Sequence, residues 1–121
     1  MRIWDQIEPK RLCRQHLLGE HRELHAIFAI LTKGSEGYAN HPEVKRWRSP
    51  EALAALEDRH DALVSEMQER GYRHRSPLPI TSLAAPRLAA VTPPAWDNQE
   101  AALAAKNCEC VTNITHNLPS T

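Results

Sequence analysis

The spacing of apolar positions along the chain predicts two long helices. Beginning at Glu8 or Pro9 and running to about Lys33, apolar residues recur at intervals of three and four, which is one face of an α-helix. The segment SPEALAALEDRHDALVSEMQERG repeats this spacing. It opens with the Ser49-Pro50 pair, a typical N-cap and first-turn combination, and Gly71 ends it.

The remaining segments predict less regular structure. The opening MRIW is short and β-prone, and we expect it to form an extended arm packed on the helices. We predict an ordered loop for the segment LTKGSEGYANHPEVKRWRSP and a proline-rich surface wrap for SPLPITSLAAPRLAAVTPPAW. A short third helix is predicted for WDNQEAALAAKN, and a tail follows it. The sequence thus predicts one all-α domain: a compact bundle of two long helices plus a short third, with an extended N-terminal arm and an irregular C-terminal segment. Residues 1–75 form its helical core and residues 76–121 its Pro/Ala-rich wrap, short helix and tail.

Composition narrows the functional classes. The chain has 121 residues, 41% of them hydrophobic, and its 15 basic side chains equal its 15 acidic ones. This balance argues against a strongly basic domain, so any polyanion site must be a local patch. No apolar run approaches the roughly 20 residues of a membrane span, and the N-terminus lacks the apolar core of a signal peptide. With an odd count of three cysteines, we expect a cytoplasmic protein without a disulfide framework or a membrane partner.

Three polar residues interrupt the apolar face of the first predicted helix. His16, Glu20 and Glu23 follow one another at intervals of four and three, so they form a continuous polar stripe. Burying carboxylates in a small core is costly unless they are paired or partly solvated. The stripe therefore indicates either an internal ion-pair network between helices or the floor of a cleft, and spacing alone leaves both open.

Two other groups could bind ligands. His21 and His25 in HRELH have the spacing of zinc-binding histidine pairs, but they lie off the apolar face, and two solvent-facing histidines are the simpler interpretation. The CEC motif at Cys108 and Cys110 is a weak metal signal, and we predict neither a metal nor a cofactor.

The basic-aromatic cluster Lys45-Arg46-Trp47-Arg48 suits phosphate contacts and stacking on a base. A solvated loop whose Trp47 fills the core is an equally good interpretation. Both can hold at once if Trp47 is buried while its neighbours bind phosphate.

The α-amine of Met1 is a further candidate group. Arg2 is too large to permit removal of the initiator methionine. An α-amine has a pKa of about 7.7–8.0, so a useful fraction is neutral and nucleophilic near neutral pH. It can form a Schiff base with a carbonyl or sugar carbon, as a lysine does.

Several short segments together resemble the pyrimidine-dimer DNA glycosylases, the endonuclease V family of bacteriophage and its bacterial relatives. The resemblance covers roughly residues 1–75 through MRIW, QHLLGEHRELHAIF, GYANHPEVKRWR and ERGY. The first helix of the phage enzyme has residues of similar type and spacing to one motif of this chain: Gln15-His16-Leu17, then Glu20, then Arg22-Glu23-Leu24. The sequence departs from that enzyme at Ala26, where the phage protein has an arginine, and in its C-terminus, which lacks an aromatic and basic segment.

The resemblance implies a bifunctional DNA glycosylase and abasic-site (AP) lyase. It assigns the nucleophile to the Met1 amine, which attacks C1′ of the damaged nucleotide, and the assisting carboxylate to Glu23. It also implies that Arg2, Gln15, His16 and Arg22 line the site or hold DNA. The expected partner is double-stranded DNA with a damaged base, and pyrimidine dimers formed by ultraviolet light are the leading candidate lesion. We expect a monomer at the nucleoid, or in the host cytoplasm if phage-encoded.

Two other functions compete with this one. A non-catalytic helical module could bind DNA or a protein through the basic-aromatic cluster and the first helix. A metal-dependent hydrolase could instead use histidines and carboxylates of the first helix, namely His16, Glu20, His21 and His25.

Overall fold

The fold is helical, as predicted. The structure, a computed structural model, describes residues 2–33, 41–73, 78, 85–93, 99–106 and 110. Its helices are α1 (Arg14–Lys33), α2 (Pro42–Lys45), α3 (Pro50–Glu69) and α4 (Gln99–Ala104), with single 3₁₀ turns at Pro9–Arg11 and Leu88–Ala90. These residues contain no strand, which confirms the all-α prediction. No helix in these ranges is long and apolar enough to cross a membrane.

Both ends of α3 follow from the sequence. The Ser49 hydroxyl accepts a hydrogen bond from the Ala52 amide at 3.0 Å, which satisfies a first-turn donor. At the other end Gly71 has a φ of 81°, and the amides of Gly71 and Tyr72 donate back to carbonyls of the last turn. This is a Schellman cap, and glycine adopts its left-handed conformation without a steric penalty.

The first long helix begins later than predicted. Pro9–Arg11 forms a separate 3₁₀ turn, Leu12 is extended, and α1 starts at Arg14. The Arg70 guanidinium on α3 donates hydrogen bonds to the carbonyls of Lys10 and Leu12 at 3.3 and 2.6 Å. The prediction of one helix from residue 8 or 9 is wrong because a tertiary contact satisfies carbonyls that a continuous helix would have used internally.

The central loop and the third helix also differ in detail. Part of the predicted loop is the short helix Pro42–Lys45, whose first turn is capped by His41 accepting from the Glu43 amide at 3.1 Å. The predicted short third helix is confirmed as Gln99–Ala104. Residues 34–40 and 94–98, the tail from 111 and most of the predicted wrap lie outside the described residues.

The core lies between α1, α3 and the N-terminal arm, residues 2–7. The largest fully buried apolar side chains come from the arm, α1, α3, α4 and the segment before α3: Ile3, Ile7, Leu17, Leu24, Ile27, Phe28, Val44, Trp47, Leu56, Leu63 and Leu103. Each such burial contributes about 1.5–3 kcal/mol to the hydrophobic driving force. The arm therefore belongs to the core, as predicted.

Polar side chains fix the backbone of the arm. The Ile3 amide donates to Glu43 Oε1 at 3.1 Å, and the Gln6 amide donates to Gln99 Oε1 at 2.9 Å. The Gln99 amide group donates in turn to the Ile3 carbonyl at 3.2 Å and to Asp5 Oδ1 at 2.8 Å. Because these contacts come from α2 and α4, both helices determine where the start of the chain lies on α1.

Candidate functional site

The polar stripe of α1 divides between the two roles that its spacing left open. Glu20 is buried, at 2% exposure, and receives two hydrogen bonds from the Arg59 guanidinium of α3, at 2.6 and 2.9 Å. Arg59 also donates to the Ile7 carbonyl at 2.8 Å. Burial raises the pKa of Glu20, and the bonds from Arg59 oppose that rise. Glu20 and Arg59 thus form the ion-pair network that joins α1, α3 and the arm.

All three members of the stripe, including Glu20, line one cavity. Its volume is about 310 Å³, within the range of small-molecule sites. The described residues around it are Arg2, Trp4, Gln15, His16, Gly19, Glu20, Arg22, Glu23 and Lys106. The cleft interpretation therefore holds for His16 and Glu23. The structure brings Arg2, Gln15, His16, Arg22 and Glu23 together, although they were selected from two separate segments of the sequence.

Glu23 contacts the arm directly. Its Oε2 accepts a hydrogen bond from the Arg2 backbone amide at 2.7 Å. Met1 lies outside the described residues, but its carbonyl carbon is bonded to that same nitrogen. The backbone nitrogen of the second residue thus lies at the Glu23 carboxylate.

His16 occupies a less polar part of the cavity wall. Its ring lies edge-on to Trp4, with centroids 5.9 Å apart. Burial, and then the positive charge of Lys106, lower the pKa of His16. This shift favours the neutral imidazole, which can both donate and accept hydrogen bonds.

The cavity wall is rich in cations. Arg2, Arg22 and Lys106 lie around it, and the last two are exposed. The Arg2 guanidinium carbon is 5.8 Å from the centroid of the Trp4 ring, a cation–π distance. Cations on this wall suit a ligand that carries negative charge, such as a phosphate.

Part of the predicted DNA contact at residues 45–48 is wrong. Arg46 is 3% exposed and Trp47 fully buried. Arg46 forms ion pairs with Glu43 and, at 2.8 Å, with Asp5, so its charge is used inside the protein. The alternative that Trp47 fills the core is correct. Lys45 and Arg48 are exposed, but neither is among the described residues of the cavity, and their contact with DNA stays a prediction.

Sequence reasoning missed two cavity residues, Trp4 and Lys106. Trp4 belongs to the MRIW segment, which predicts an arm but does not show which helix face that arm meets. Lys106 directly follows α4 in the part of the chain to which no role was assigned. No local motif marks it as a site residue.

Two groups of side chains place possible metal-binding atoms close together. One is Cys13, His16 and Cys110, next to the cavity, where the two sulfurs lie 3.2 and 3.3 Å from His16 Nδ1. The other is His21, His25 and His60, none of which is among the described residues of the cavity.

Comparison with known proteins identifies the family. Searches of curated proteins and of solved structures each gave no significant match. A family model described as pyrimidine dimer DNA glycosylase matches residues 1–79, which is more than half of the chain. The matched region contains the described cavity residues except Lys106. The chain belongs to the pyrimidine dimer DNA glycosylase family.

Proposed function

We propose that the protein is a bifunctional DNA glycosylase and AP lyase acting on damaged bases in double-stranded DNA, with pyrimidine dimers as the leading substrate. The nucleophile is the α-amine of Met1 and the assisting carboxylate is Glu23. The hydrogen bond from the Arg2 amide to Glu23 Oε2, at 2.7 Å, carries this proposal. Only the Met1 carbonyl carbon and Cα separate that amide nitrogen from the α-amine.

The first step removes the base. The neutral amine attacks C1′, and the bond from C1′ to the base nitrogen breaks with its electron pair leaving on the base, which takes up a proton. The amine then loses a proton, and its lone pair forms the C1′ iminium as the C1′–O4′ bond of the sugar ring breaks and O4′ takes up a proton. A carboxylate beside C1′ stabilises the positive charge that develops there, which is the role proposed for Glu23.

The second step cleaves the strand. The iminium makes the C2′ proton acidic, and Glu23 removes it. The electron pair of the broken C2′–H bond forms a carbon–carbon double bond and expels the 3′ phosphate. Water then hydrolyses the Schiff base and releases the amine.

The remaining cavity residues position the DNA. Arg2, Arg22 and Lys106 supply cations for the phosphates that flank the lesion. Gln15 and neutral His16 offer hydrogen bonds of no net charge to the sugar or base. C1′ is shielded within a duplex, so reaction requires the damaged nucleotide to be extruded or the duplex to be kinked.

The cavity also contains a competing amine. Lys106 Nζ could form a Schiff base in place of the Met1 amine. Glu23 accepts a hydrogen bond from the arm, whereas the described interaction of Lys106 is electrostatic, with His16. The Met1 amine is therefore the better-supported nucleophile.

Substitution of Glu23 distinguishes the enzyme from a non-catalytic DNA-binding module. For Glu23→Gln we expect nicking of an abasic-site duplex to fall by about 10²–10⁴, the contribution of general base catalysis, with duplex affinity little changed. Glu69→Gln is the matched control, because Glu69 is exposed at the end of α3. Wild-type protein that binds the duplex without nicking it would instead favour the non-catalytic module.

A further inference from the structure

Three histidines meet on a part of α1 outside the described cavity lining. His21 and His25 lie one turn apart on α1, and α3 places His60 against them. The three ring-centroid separations are 4.6, 5.1 and 5.2 Å. His21 and His25 are half-buried and His60 is 4% exposed, so the interpretation of this pair as two solvent-facing side chains is wrong.

The three rings place nitrogen atoms close enough together to share a metal ion. One nitrogen from each ring lies within 4.8 Å of the other two, and Nε2 of His21 and Nε2 of His25 are 3.2 Å apart. Zinc binds imidazole nitrogen at about 2.0–2.1 Å in tetrahedral geometry, which separates two such nitrogens by about 3.3–3.4 Å. The separation of the His21 and His25 nitrogens matches that spacing, and the His60 nitrogen would move toward them on metal binding.

A carboxylate orients the third histidine. Nδ1 of His60 lies 3.2 Å from Oδ1 of Asp61, whose side chain is 81% exposed. A carboxylate that accepts a hydrogen bond from the Nδ1–H group favours the tautomer in which Nε2 carries the lone pair, as in many zinc sites. The Nε2 atom of His60 is buried.

We propose that His21, His25 and His60 bind a divalent transition-metal ion, with Zn²⁺ as the first candidate. Three imidazoles with an open fourth position suit zinc, copper or nickel, whereas magnesium and calcium prefer oxygen ligands. Because the ligands come from both long helices, the ion would link α1 to α3 and stabilise the fold. This role is independent of the cleavage chemistry assigned to the cavity.

The cysteine cluster next to the cavity is a second set of possible ligands for the same ion. Cys13, His16 and Cys110 include two thiols, which also bind zinc well. Metal binding must therefore be measured in full-length protein with its three cysteines, Cys13, Cys108 and Cys110, replaced by serine. Cobalt provides a second check, because a cobalt–thiolate bond gives a strong near-ultraviolet band that an all-histidine site lacks.

Titration with Zn²⁺ alone tests the proposal in this thiol-free protein. We expect one equivalent to bind and to raise Tm in proportion to the logarithm of free zinc. His21→Gln and His25→Gln should each weaken binding at least about tenfold, and Asp61→Asn should weaken it by about tenfold or less. His41→Asn is the matched control, since asparagine preserves the cap of α2.

The substituted positions on α1 are half-buried, and far-ultraviolet circular dichroism verifies that the variants remain folded. Failure of the thiol-free protein to bind zinc would overturn the proposal. Binding that survives both glutamine substitutions would overturn it as well, because the metal would then lie elsewhere.

Discussion

Glu20 and Glu23 lie three residues apart on one helix and differ in almost every contact. Glu20 is 2% exposed and holds the Arg59 guanidinium of the opposite helix. Glu23 is half-buried on the cavity wall and accepts a hydrogen bond from the backbone of Arg2. The first carboxylate faces a permanent cation, and the second faces the start of the chain.

This difference separates a carboxylate that holds the two long helices together from the one that is proposed to be catalytic. A helix turns about 100° per residue, so positions three apart share a face but are offset by about 60°. The offset directs Glu20 to Arg59 of α3 and Glu23 to the backbone of Arg2. The ion pair then fixes the helix on which the proposed catalytic carboxylate is carried.

The largest predicted effect on stability follows loss of the buried ion pair. Glu20→Gln leaves the Arg59 guanidinium, 9% exposed, without its counter-charge, and breaking such a pair costs about 3 kcal/mol or more. Glu23→Gln should cost about 1 kcal/mol or less, because it weakens one partly solvated hydrogen bond. Urea unfolding measures both, with Glu69→Gln as the surface control. Equal losses at positions 20 and 23 would contradict the division of roles.

A smaller loss is predicted where α4 holds the arm. Gln99→Leu removes the hydrogen bonds to the Gln6 amide, the Ile3 carbonyl and Asp5, and the buried Ile3 carbonyl loses this donor. We expect a loss of about 2 kcal/mol in the free energy of unfolding. Under the proposed mechanism nicking should fall as well, because the arm carries the Arg2 amide that donates to Glu23. Gln68→Leu, at an exposed position of α3, is the control. If the Gln99→Leu protein is folded and its nicking is unaffected, the position of the arm does not contribute to catalysis.

The most subtle predicted change is electrostatic. Burial and the charge of Lys106 both lower the pKa of His16, so Lys106→Met should raise it toward the ordinary histidine value. A titration of the His16 ring protons by NMR measures this shift. Lys45→Met, at an exposed residue of α2, should leave the His16 pKa unchanged. An unchanged pKa in Lys106→Met would place the Lys106 charge away from the cavity.

Local patterns predicted most of the fold. Apolar spacing identified both long helices, and the Ser49-Pro50 cap and Gly71 fixed the ends of α3 because capping depends on neighbouring residues alone. The start of α1 could not be predicted in this way. It depends on Arg70, which is distant in sequence and bonds to the carbonyls that precede α1.

The candidate site was predicted only where its residues lie in segments that resemble the family. Arg2 lies in one such segment and Gln15, His16, Arg22 and Glu23 in another, and all five meet in the cavity. Arg46 looks like a phosphate ligand in sequence, yet Asp5 and Glu43 bind it in the interior. Charge patterns alone do not reveal such long-range partners. Nor does the local sequence reveal that Lys106 lies at the cavity or that His60 packs against the histidines of α1.

The most direct test of the proposed mechanism is borohydride trapping on an abasic-site duplex, using protein with a native, unextended Met1. Reduction converts the Schiff base into a stable bond, and we predict an adduct that peptide mapping assigns to the Met1 α-amine. Lys106→Met should still be trapped, whereas protein with an N-terminal extension, which displaces the amine from Glu23, should not. An adduct on Lys106, or no adduct despite intact DNA binding, would contradict the central claim.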